Sequence, residues 1–109
     1  PWTMSITYPA CFFKEENGYS VIFSDLNDLS TCDETFKGAM KMATDCLAGY
    51  LYLAKWDGED IPLPSKQEKI DPDAIAKRIG FEPGPSLIIP ITVDVDDYAN
   101  IYFKSQLNQ

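Results

Sequence analysis

The chain has 109 residues, 45% of them hydrophobic, and a formal net charge of −8 set by 17 acidic against 9 basic residues. That length supports one domain around one core and falls short of two ordinary domains. The basic residues gather into no run, so the surface repels a phosphate backbone. This argues against direct nucleic-acid binding and admits a basic protein as partner.

Pro1-Trp2-Thr3, ahead of Met4, reads as a leader or an appended piece. In the first apolar run Ile6, Tyr8, Ala10 and Phe12 share one face, while Thr7, Pro9, Cys11 and Phe13 share the other. Both faces are partly apolar. A helix is expected over one and a partner subunit over the other, with Pro9 costing one ladder hydrogen bond. The second run sets Tyr19, Val21 and Phe23 opposite Ser20, Ile22 and Ser24, and Asn17-Gly18 is expected to supply the positive φ angles of a tight hairpin. From Asp25 to Asp33 the chain turns polar, and a short extended piece around Ser30-Thr31-Cys32 is expected to pair as a third strand.

From Phe36 the period changes. Phe36, Ala39, Met40, Ala43, Cys46, Leu47, Tyr50, Leu51 and Ala54 recur down one helical face, and Asp57-Gly58 stops the helix. A cofactor-lining stripe is conceivable there, but residues at helical spacing are far more often core, and no cofactor is expected. Ile61-Pro62-Leu63-Pro64-Ser65 reads as an extended connector. Asp71-Pro72-Asp73 then opens a short helix carrying Ile75, Ala76 and Ile79 to a stop at Gly80. The whole segment Lys66–Pro85 is placed outside the core.

The last strand alternates Leu87, Ile89, Ile91, Val93 and Val95 with Ile88, Pro90, Thr92 and Asp94, and Pro90 marks a sheet edge or a bulge. Asp96 or Asp97 is expected to cap a final turn through Tyr98, Ile101 and Tyr102, before a fraying Lys104–Gln109. The predicted class is α+β: an antiparallel three-stranded sheet, one long helix packed on it, and an additional C-terminal edge strand. It forms one domain, with its core in 4–64 and 86–98, an insertion over 65–85 and a tail over 99–109.

Several of these pieces resemble the HicB family of bacterial antitoxins. They are Tyr8-Pro9-Ala10, the Glu15-Glu16-Asn17-Gly18-Tyr19 turn, Phe23-Ser24-Asp25-Leu26, the helix led by Thr35, Asp57-Gly58-Glu59-Asp60-Ile61-Pro62, and the closing Val93-Asp94-Val95-Asp96-Asp97-Tyr98. Their order and spacing carry the resemblance. It implies a partial RNase-H-like fold, β-β-β-α-β, without nuclease activity, which masks a small basic RNA-cleaving toxin of the HicA type. Two departures stand out. Many members carry glycine where this loop has Asp28, and a Thr-x-x-Glu capping box where this chain has Thr35 followed by Gly38, so a weaker first helical turn is expected. Members usually continue into a DNA-binding segment, and nothing after Asp96 resembles one.

The residues also bound the chemistry. An RNase-H-type site needs carboxylates converging on divalent metal, one of them near the middle of the first strand. That strand reads Tyr8-Pro9-Ala10-Cys11-Phe12, without one. A histidine base is excluded because the chain has no histidine, and a cysteine nucleophile would lack an imidazole partner. Ser-Lys chemistry at Ser65-Lys66 or Ser105 lacks a glycine-rich oxyanion turn. Three cysteines, Cys11, Cys32 and Cys46, show no metal-ligand spacing, and Cys11 and Cys46 read as buried thiols. An odd count without a signal peptide suits a reducing cytoplasm. No window approaches the ~20 apolar residues of a membrane span.

No catalysis and no metal are therefore expected. The acidic residues Glu15, Glu16, Asp25, Asp28, Asp33 and Glu34 are the candidate partner contacts, weighed against charge serving solubility alone. Cys11, Phe13, Ile88 and Pro90 are the candidate subunit contacts of a homo-oligomer, dimer or tetramer. A stand-alone oligomeric module without a toxin and a degenerate nuclease retaining RNA binding are the alternatives.

Overall fold

The computed structural model describes residues 5–104, so Pro1-Trp2-Thr3 and the tail beyond Lys104 lie outside the described residues. The hairpin forms where the alternation places it: β1 (Ser5–Glu15) runs antiparallel to β2 (Gly18–Phe23), with Glu15 opposite Gly18. The positive φ falls on Gly18 alone, at 151°, and not on Asn17. Gly18 also allows a close approach, because a Cβ there would press on the backbone carbonyl of Asp33.

β3 (Leu29–Asp33) pairs with β2, and β4 (Ser86–Asp94) pairs with β1 from Ser5 opposite Asp94 to Phe13 opposite Ser86. The result is one four-stranded antiparallel sheet, β3-β2-β1-β4, rather than a three-stranded sheet with an appended edge strand. β4 pairs along most of β1 because both carry uninterrupted apolar alternation.

Pro9 lies opposite Pro90. Neither has an N–H, so they occupy a pair whose backbone groups point away from each other. Pro9 then faces the side where pairing with β2 has already stopped, at Cys11 and Ile22, and Pro90 faces the open edge. No ladder hydrogen bond is lost, contrary to the cost expected for Pro9. The same alternation turns the Ile88 carbonyl outward, where Gln67 Nε2 donates to it at 2.9 Å.

One face of the sheet is covered by α1 (Phe36–Asp57), whose Ala39, Ala43, Leu47, Ala48 and Leu51 interleave with Tyr8, Ala10, Phe12, Val21, Phe23, Ile91 and Val93. The helix ends at Gly58 in the left-handed conformation, φ 67°. The opposite face is covered in part by the chain itself. α2 (Pro72–Ile79), capped by Asp71 and stopped by Gly80, buries Ile75 and Ala76 against Cys11, Phe13 and Ile22. Phe81 meets Phe13 edge-on, with ring centroids 4.9 Å apart.

Two expectations change here. Lys66–Pro85 contributes to a second core instead of lying outside it. Cys11 and Phe13, expected between subunits, are fully buried within one chain, while Ile88 sits half-buried at the margin of this cluster and Pro90 is exposed. The cause is the apolar pair Ile75-Ala76 on a helix of only 8 residues, which a single side of the sheet suffices to bury.

After β4, α3 (Val95–Tyr98) is capped by Asp94, which accepts the Asp97 N–H at 3.0 Å, rather than by Asp96 or Asp97. A π-helical turn, Ala99–Phe103, follows and packs on α1 through Phe103 against Tyr52. Tyr98 Oη donates to Asp45 at 2.9 Å, and burial together with that carboxylate pushes the Tyr98 pKa up to about 12. No helix among the described residues is long and apolar enough to cross a membrane.

Candidate interaction site

Strand direction sorts the acidic candidates. β2 leads away from the hairpin turn and β3 leads back, so Glu15, Glu16, Asp33 and Glu34 collect at the turn end of the sheet. Asp25 and Asp28 lie at the other end of β2, whose 6 residues span roughly 20 Å. The sequence cluster Asp25–Glu34 is thus two separate groups.

The far group fastens the fold. Asp25 accepts hydrogen bonds from the Ser65 N–H at 2.8 Å and the Ser65 hydroxyl at 2.5 Å. Tyr8 Oη donates to the Pro62 carbonyl, so the connector is pinned at two points. Burial, and the negative charge of Asp25 behind it, raise the Tyr8 pKa above its ordinary value.

Asp28 accepts from Arg78 Nε and Nη2, each at 2.7 Å, in a bidentate pair that ties α2 to the loop before β3. Those hydrogen bonds hold the Asp28 carboxyl below the usual carboxylate range, against a smaller opposing effect of burial. Asn27 and Asp28 have φ of 57° and 58°, the left-handed region that favours glycine. At Asp28 that backbone demand is met by an aspartate held by a partner.

The near group is partly free. Glu15 accepts from Ser20 Oγ at 2.6 Å. Asp33 Oδ2 accepts from the Thr35 N–H at 3.1 Å, and Thr35 Oγ1 accepts from the Gly38 N–H at 2.9 Å. Asp33 thus satisfies the N-cap N–H that a capping-box glutamate would reach back to, and the first turn is not left weak. Gly38 makes this possible, because a Cβ there would collide with the Asp33 carboxylate. Glu16 and Glu34 are exposed, and among the described residues neither has a hydrogen bond or ion pair. With Tyr19, Cys32 and Thr35, the carboxylates of Glu15, Asp33 and Glu34 line a shallow cleft of about 380 Å³.

Other chemistry finds little support in the geometry. The middle of β1 presents Tyr8, Ala10 and Phe12 to the apolar core. Among the described residues no three His, Cys, Asp or Glu side chains are grouped to hold a metal ion. Burial pushes the Cys11 thiol up to about 11, and burial with Asp45 raises that of Cys46, so both are protonated at neutral pH. The Ser65 hydroxyl is engaged as a donor to Asp25.

No family model matches the chain, and no curated protein sequence does. Among solved structures, a chain of a toxin-antitoxin complex from Streptococcus pneumoniae is similar with a TM-score of 0.75 and 23% identity, over 87% of this chain and 73% of that one. A chain of a HicA3 and HicB3 toxin-antitoxin complex is similar with a TM-score of 0.60 and 21% identity, over 79% of this chain and 95% of that one. The fold is one found in toxin-antitoxin complexes. At these identities the likeness establishes the architecture, and the charged residues of this chain must carry any argument about what it binds.

Proposed function

We propose that the chain is a HicB-like antitoxin of a toxin-antitoxin module, which binds and neutralises a small basic RNA-cleaving toxin of the HicA type without catalysing a reaction itself. The fold shared with a chain of the Streptococcus pneumoniae toxin-antitoxin complex is the observation that carries this reading. The net charge of −8 supports it, since an acidic body suits a partner whose own face must attract RNA. Three free cysteines fit action in a reducing cytoplasm. The stand-alone oligomeric reading loses part of its motive, because Cys11 and Phe13 are covered within the chain.

The test uses the product of the adjacent reading frame, which the proposal expects to be a short basic protein. Titrating the chain into that protein while following cleavage of a labelled RNA should abolish cleavage near equimolar ratio, and the chain alone should leave the RNA intact. Undiminished cleavage in the presence of excess chain, or cleavage by the chain alone, would overturn the proposal.

A further inference from the structure

The second face of the sheet is only partly closed by α2. Between α2 and the strands β2 and β3 runs an open groove of about 410 Å³, lined by Ser20, Ile22, Cys32, Ile79 and Phe81, with Glu15 at its mouth. Glu15 and Cys32 border both this groove and the acidic cleft at the hairpin end. Ile79, at the end of α2, is 44% exposed although Ile75 and Ala76 are buried, so it offers an apolar side chain to the groove.

The charges along the groove are ordered. Glu15 lines the groove at the hairpin end, where the exposed Glu16 and Glu34 also lie, and at the far end of β3 the Asp28–Arg78 pair ties α2 to the preceding loop.

From this we infer that the groove receives a basic segment of the partner, inserting an apolar side chain between Ile79, Phe81 and Ile22 while its Lys or Arg residues meet Glu15, Glu16 and Glu34. The inference rests on the antitoxin reading and specifies its contact surface. Charge complementarity selects the occupant: a second copy of this chain would bring a further net −8 against the same carboxylates. Strand addition along β3 is a poorer mode, because the outward Ser30 carbonyl already accepts from the Cys46 thiol at 3.8 Å. Side-chain insertion with a charged rim is the arrangement in which a buried apolar anchor supplies affinity and the rim supplies rate.

Cys32 reports on the groove directly, being an exposed thiol on its floor while Cys11 is buried. Alkylation by N-ethylmaleimide, mapped by mass spectrometry, is to be compared for the free chain and for its mixture with the basic protein of the adjacent frame. Labelling of Cys32 should slow by about tenfold or more in the complex, and Cys32→Trp, which fills the groove without changing charge, should weaken association by about tenfold.

A complex that forms while Cys32 labels at its free rate overturns the groove and leaves the antitoxin reading standing. Protection that rises with the concentration of the chain alone assigns the groove to a second copy and overturns the inference as well. Failure to form any complex removes the antitoxin reading and the groove with it. The labelling measurement uses the unaltered protein, so it decides the matter even if Cys32→Trp folds poorly.

Discussion

Alanine in place of a helical glycine ordinarily stabilises a helix by about 1 kcal/mol. At Gly38 the added Cβ would displace the Asp33 carboxylate from the Thr35 N–H, so the gain is offset by a lost cap of similar size. We therefore expect Gly38→Ala to leave stability unchanged or lowered in the native background, and to raise it by less than about 1 kcal/mol when Asp33 is already alanine, because the added Cβ still meets Thr35 Oγ1 at 2.9 Å. Urea unfolding of the four combinations measures that coupling; simple additivity would show that Asp33 does not cap α1. Asp28 poses a related question. Its pKa is lowered in the folded state, so its pairing with Arg78 adds stability that is fully present above the ordinary carboxylate range and lost as pH falls through the lower folded value. The wild type and Asp28→Asn should differ in unfolding midpoint at pH 7, with the difference beginning to shrink below about pH 4 and vanishing only once pH has fallen through the lower folded value. The difference will be modest, because Arg78 is half exposed and screened by water. A difference that persists unchanged into strong acid would assign the effect to something other than this ion pair.

The elements were largely legible. The hairpin followed from alternation and a glycine turn, α1 from its three- and four-residue recurrence and Gly58, and α2 from Asp71, Pro72 and Gly80. What periodicity did not reveal was the destination of α2. Its apolar face is short, and the apolar partner it covers, Cys11, Phe13 and Ile22, lies some fifty residues or more away in sequence; the roughly even apolar character of both faces of β1 was the available signal, and it fitted a subunit contact equally well. The Asp33 cap was hidden for the same reason, since it depends on β3 ending beside the helix start. The packing of α2 makes a direct prediction. Ile75→Ala should cost about 2–4 kcal/mol, as expected for a buried isoleucine, and should speed alkylation of Cys11, which the native protein shields. Loss of stability without faster Cys11 labelling would mean that α2 does not guard that face.

Across the whole molecule, charge and topology together decide what can meet a partner. Composition gave the sign of the surface, but the sequence run Asp25–Glu34 suggested one acidic patch where the fold has two, because a strand separates them. The length of β2 could have warned of this. Of the two acidic ends, the hairpin end sets Glu34 in an open cleft with the exposed Glu16 beside it, whereas Asp25 and Asp28 at the far end are spent on internal bonds. Substitutions at the two ends should therefore act differently: at the far end on stability, at the near end on encounter. Stopped-flow association of the chain with the basic protein of the adjacent frame, over a series of salt concentrations, separates them most directly. The account predicts that Glu16→Lys with Glu34→Lys slows association by about tenfold at low salt and flattens its salt dependence, with folding stability retained. An unchanged rate and an unchanged salt slope would contradict it.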